Sequence, residues 1–136
     1  MNYPKYLLED IRWSFFFDPF DTQEEFEAEL TDYYREVFEK NVPIKFNKKI
    51  FDHSEIAVQY MIYPEDEDDE EKEISFKLTA NNDKYFTFGE LLYKIHNRVC
   101  ADLEHEDNHF FEGLQYAGDD DPDYPQVPFY FLLLGS

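Results

Sequence analysis

The chain has 136 residues, 43% of them hydrophobic and 20% aromatic, and a formal charge of −20. That length suits one domain with a real core, and the aromatic content argues against disorder. The charge excludes a nucleic-acid-binding face, because phosphate would be repelled. No apolar run reaches the ~18 residues of a membrane span.

The first twelve residues, MNYPKYLLEDIR, turn acidic early and lack the basic-then-apolar order of a signal peptide. Residues 11–17, IRWSFFF, alternate apolar side chains at Ile11, Trp13, Phe15 and Phe17, which predicts a strand ended by Asp18-Pro19. Thr22 with Glu25 forms a capping box for a helix over 22–40. Its stripe is Phe26, Leu30, Tyr33 or Tyr34, and Val37, and the sequence Lys40-Asn41-Val42-Pro43 stops it. Residues 43–53 are a short basic passage (Lys45, Lys48, Lys49) with no clear pattern.

Two alternating segments, 55–63 and 73–80, predict an antiparallel hairpin with an acidic loop at about 64–72. Asn81-Asn82-Asp83 then turns into the clearest local signal of the chain. Thr87 and Glu90 make a second capping box, with Phe86 and Leu91 as a hydrophobic staple. Phe88, Leu92, Ile95, Val99 and Leu103 follow three or four apart, giving an apolar helical stripe of about five turns. Residues 110–116 and 127–134 are the last strands. Both faces of VPFYFLLL are apolar, so this strand belongs inside the sheet and is covered on both sides, or its second face meets a partner. The expected fold is one α+β domain over 1–136, a mainly antiparallel sheet with two helices in the order β-α-β-β-α-β-β.

The charge is unevenly spread. Residues 65–73 hold eight acids and one lysine, a net of −7, and residues 99–136 hold nine acids with no Lys or Arg. The remainder carries only −4. This is a solvated acidic surface or an electrostatic footprint for a basic partner.

Patterns for catalysis are weak. His105 and His109 have i, i+4 spacing, but the helix is expected to end before them and no third soft ligand is near in sequence. Asp119, Asp121 and Asp123 open like a calcium loop, which then fails at Tyr124 and Tyr130. Four glycines and four serines offer neither a phosphate-cradling loop nor a Gly-x-Ser-x-Gly elbow. Cys100 lies one helical turn from His96, the arrangement of a core cysteine more than of a nucleophile. A lone cysteine allows no internal disulfide and fits a reducing compartment. The expectation is a cytoplasmic protein that is not an enzyme and holds no metal or cofactor.

The passages NDKYFTFGELLYKIHN, DNHFFEGLQYAG and VPFYFLLLGS resemble small acidic bacterial immunity proteins encoded beside secreted toxins, those of contact-dependent growth inhibition among them. The resemblance covers residues 82–136 and carries no catalytic or interface motif. It implies a protein that binds and neutralises a cognate toxin domain, a basic nuclease, by covering its substrate cleft with an acidic surface, without touching nucleic acid or membrane itself. Two alternatives are an inhibitor that mimics nucleic acid toward an unlinked nuclease, and a small metal-binding protein or enzyme using His105 and His109. The partner-facing residues expected are Glu104, Glu106 and Asp107 at the helix end, with Tyr116, Asp119, Asp120, Asp121, Asp123 and Tyr124 around the second acidic loop. Prolines 122 and 125 stiffen that loop, and its four aspartates are expected to be exposed and dispensable for folding.

Overall fold

The computed structural model describes residues 3–39, 43–62, 71–103 and 109–135. In chain order the elements are β1 (Tyr6–Leu7), β2 (Trp13–Ser14), α1 (Gln23–Phe38), β3 (Lys49–Phe51) and β4 (Glu55–Ile62). β5 (Lys72–Thr79), β6 (Phe86–Thr87), α2 (Phe88–Leu103), β7 (Phe110–Tyr116) and β8 (Phe129–Gly135) complete the fold. The architecture is α+β: a six-stranded sheet in the order β1-β7-β8-β4-β5, with β2 also on β7, and a two-stranded ribbon of β3 and β6. All pairs are antiparallel except β4 with β8.

Both helices begin where the capping boxes place them. The Thr22 hydroxyl accepts the Glu25 N–H at 3.1 Å, and Thr87 accepts that of Glu90 at 3.3 Å. The stripe of α2 is buried throughout, and Leu91, His96 and Cys100 widen it. The stripe of α1 buries Phe26, Leu30 and Tyr34 but leaves Val37 49% exposed, so its last turn rises off the core. Glu39, in the left-handed region at φ 54°, ends the helix; residues 40–42 of the expected stop signal lie outside the described residues.

The strand expected over 11–17 forms only in part. Trp13 and Ser14 pair with Phe111 and Phe110, and the Phe15 N–H reaches the His109 carbonyl at 2.8 Å. The alternation is still a burial signal, since Trp13 and Phe15 are both in the core. The pairing is short because β1 and β2 share one edge of β7, and the chain between them must bulge outward. Gly113 sits at that crossing with φ 113°, in a register shift of β7. A Cβ there would meet the Glu9 Cα at 3.0 Å and the Leu7 carbonyl at 3.1 Å.

One contiguous core joins the helices to a single face of the sheet. It holds Ile56, Val58 and Tyr60 of β4, Phe76 of β5, Phe111 and Leu114 of β7, and Tyr130 and Leu132 of β8. Trp13 stands at its centre, with ring centroids 5.2 Å from Phe26, 5.4 Å from Tyr33 and 5.5 Å from His96. The other face of the sheet carries Gln59 and Met61, Ser75 and Lys77, and Phe129, Phe131 and Leu133, none of which joins that core. β8 therefore is interior to the sheet, and its second apolar row lies on the face away from the helices.

Candidate protein-binding surface

The acidic loop joining β7 to β8 is held by its own aspartates. The Asp121 side chain is only 4% exposed, and its Oδ1 accepts the Asp123 N–H at 2.8 Å. The Asp121 carbonyl accepts the Tyr124 N–H at 2.9 Å, closing a tight turn. Asp120 Oδ2 accepts the N–H of Gln126 at 3.1 Å, where φ is 68°. Four consecutive-looking acids thus divide into two kinds. Asp121 faces inward as a structural group, which corrects the expectation that all four are exposed; Asp119, Asp120 and Asp123 face solvent. Asp121 Oδ1 is committed to the loop's own backbone, and among the described residues no group of three or more His, Cys, Asp or Glu is placed to hold a metal.

Tyr124 is half-buried on this loop. Tyr116, also half-buried, has its ring tilted against those of Tyr3 and Tyr130, with centroids 5.4 Å and 5.5 Å away. The Tyr130 hydroxyl donates to the Pro4 carbonyl at 2.6 Å, and burial together with the two neighbouring tyrosines pushes its pKa upward. Tyr116 consequently braces the N-terminal segment against the sheet, with only its edge near the loop.

The remaining expected residues, Glu104, Glu106 and Asp107, lie outside the described residues, as do His105 and positions 63–70 of the first acidic loop. Their described flanks have a definite place. β4 runs parallel to β8, and β5 and β7 run against them, so Ile62, Lys72, Phe110 and Gly135 all stand at one end of the sheet. α2 ends there too, since Asp102 accepts a hydrogen bond from the Tyr60 hydroxyl. The 119–123 loop follows Tyr116 at the opposite end, a seven-residue strand or ~23 Å away. The described residues that flank 104–108 thus stand at the other end of β7 from the 119–123 loop, as the strand expected between the two acidic segments implies.

Other titratable groups are committed internally. His96 is fully buried; Trp13 Nε1 donates to its Nδ1 at 3.0 Å, so its Nε2 carries the proton and donates to the Asp18 carbonyl at 3.0 Å. Burial holds its pKa below the ordinary value. A ring with both nitrogens occupied and no solvent contact cannot serve an external substrate as acid or base. Cys100 is buried and not disulfide-bonded. Glu90 accepts the Asn81 N–H at 2.7 Å and pairs with Lys94 at 2.8 Å, so its carboxylate fastens the 81–83 turn to α2 where the capping box alone would return it to the Thr87 N–H.

Compared with family models, curated proteins and solved structures, the chain matches none. Among the described residues no helix is long and apolar enough to cross a membrane.

What sequence reasoning missed is apolar. Phe16, Val37 and Phe110 are exposed, and so is Phe131 on the uncovered sheet face. The only sequence signal was the double apolar face of VPFYFLLL. Two grooves border such residues. One of about 610 Å³ lies between α1 and the 43–50 passage, where Lys45 and Lys48 accompany Glu9 and Asp10. The second, of about 410 Å³, is lined by Val37, Phe110 and the edge of Trp13.

Proposed function

We propose that this protein is a cytoplasmic immunity protein that captures a basic toxin domain, a nuclease by preference, through its acidic surface, and that it performs no catalysis of its own. The observation that carries this reading is the frame of the second acidic loop. Asp121 and Asp120 tie the backbone by hydrogen bonds while Asp119 and Asp123 remain exposed. Carboxylates on a folded turn lose less freedom on binding than those on an open chain. They stand where a nuclease cleft would otherwise receive phosphates, and the net charge of −20 accelerates encounter with a basic surface.

The test is stopped-flow association with the toxin domain encoded beside this gene. The wild type should bind fast, with an on-rate that falls steeply as salt shortens the Debye length from ~30 to ~8 Å. Asp119→Asn with Asp123→Asn should slow association and leave the melting temperature unchanged. Asp121 is left out of the variant because its loss would unfold the turn. No binding by the wild type, or a salt-independent on-rate, would sink the proposal or its electrostatic part respectively.

A further inference from the structure

Exposed large apolar side chains are costly unless something covers them, and three of them gather at one end of the sheet. Val37 on the last turns of α1 is 49% exposed and Phe110 at the start of β7 is 40% exposed. Both line the cavity of about 410 Å³ whose walls include Trp13, Tyr33 and Phe111. Phe16, 63% exposed, adjoins them: its ring lies 6.1 Å from His109, which is 4.5 Å from Phe110. Val37 continues the stripe of Phe26, Leu30 and Tyr34, so the helix directs an apolar residue to this place and the core does not use it.

The rim is acidic. Glu112 and Arg12 line the cavity from the sheet side. On α1, Glu29 and Glu36 are four residues before and three after Tyr33, on the helix face that borders the cavity. Asp32 is occupied by Arg35 at 3.3 Å. Glu29 and Glu36 on α1 and Glu112 on β7 therefore set three carboxylates against one guanidinium on the two elements that border the apolar centre. A second copy of this chain would bring like charges together at that rim, and each copy carries −20. The complementary occupant is a basic protein with an exposed apolar side chain.

We propose that Phe16, Val37 and Phe110 form the apolar centre of the partner interface, and that the partner seats a large apolar side chain in the cavity that Val37 and Phe110 line. This rests on the immunity reading above and adds to it a second contact, at the end of the sheet opposite the 119–123 loop. An apolar pocket rimmed by charge is where binding energy concentrates, and such contacts govern dissociation, whereas peripheral charge governs encounter.

The experiment measures binding of the neighbouring toxin domain to the full chain by surface plasmon resonance. Phe16→Ser with Val37→Ser alters two exposed positions; Val37→Arg, a second variant, sets a cation against the basic partner. Melting curves check that each variant is folded. Dissociation should quicken about tenfold or more in both, with the on-rate of the serine pair within about twofold of wild type. Unchanged dissociation in both folded variants overturns the apolar centre while leaving the immunity reading intact. Absence of binding by the wild type overturns the immunity reading, and this interface with it.

Discussion

The two helices begin alike and are used differently. Each has 16 residues, and in each a threonine before the first turn accepts the N–H of a glutamate three residues on. Yet α2 buries ten of its residues and α1 only three. α2 meets β4 through Asp102 and Tyr60, β2 through His96 and Trp13, and α1 through Tyr93 and Phe26, so it needs apolar residues around much of its circumference. α1 buries only a narrow stripe. A capping box and a stripe fix where a helix begins and which way it faces; they do not fix how deep it lies. The shallow helix is the one that leaves apolar residues, Val37 and Phe38, exposed.

The comparison breaks most directly by truncating the two stripes. Ile95→Ala, in the fully buried middle of α2, should destabilise by ~2–5 kcal/mol. Val37→Ala, at the exposed end of the α1 stripe, should stay within ~0.5 kcal/mol. Urea unfolding of both variants decides the matter: equal losses would place Val37 in the core and remove the apolar patch.

The capping glutamates give a smaller contrast. Glu90 is buried, and Lys94, which pairs with it, also donates to the Thr79 carbonyl at 2.7 Å and to Asn81 Oδ1 at 2.8 Å. Glu90→Ala takes the carboxylate away from Lys94 and from the Asn81 N–H, and should cost ~1.5–3 kcal/mol. Glu25 is exposed in the first turn of α1, where its carboxylate favours the helix dipole, so Glu25→Ala should cost less than ~1 kcal/mol. Similar losses in thermal melts would mean that the two boxes are equivalent after all.

Much of the fold was legible because it depends on local signals. Capping located both helices to within a residue or two, and alternation located β4, β5 and β7. The double apolar face of β8 marked an interior strand, as found. The signal failed where a position depends on what packs against it from far away. Ile11, Trp13, Phe15 and Phe17 alternate like a strand, but only Trp13 and Ser14 find room on the edge of β7. The ribbon of β3 and β6 joins two short segments with no periodicity of their own. The candidate site was less legible still. Asp119 and Asp121 are chemically identical, and only the turn geometry decides that one carboxylate faces water and the other the backbone. The strand between the two acidic segments was itself legible, and β7 runs over Phe110–Tyr116 as expected.

The smallest effect sharpens the contrast through a buried imidazole, which α2 carries and α1 lacks. His96 is packed among Trp13, Phe15, Phe20 and Phe26, accepts from the indole of Trp13, and donates to the Asp18 carbonyl. Protonation would turn the Nδ1 acceptor into a donor facing the Trp13 N–H, and would place a charge where burial opposes it, so the folded pKa lies below the ordinary value. In the unfolded chain the same ring takes up its proton near pH 6.5. Between these two values the unfolded state binds more protons than the folded state, so stability is full above about pH 6.5 and declines as pH falls through the window beneath it. Carboxylates titrate lower, and in so acidic a chain their protonation also relieves repulsion, so the measurement belongs between about pH 7.5 and 5.5. His96→Gln supplies the reference, since its amide can accept from Trp13 and donate to Asp18 without titrating. The urea midpoint of the wild type should fall relative to that variant on going from pH 7.5 to 5.5. Parallel pH profiles would mean that the imidazole is not held neutral in the fold, and that the depth assigned to α2 around Trp13 is wrong.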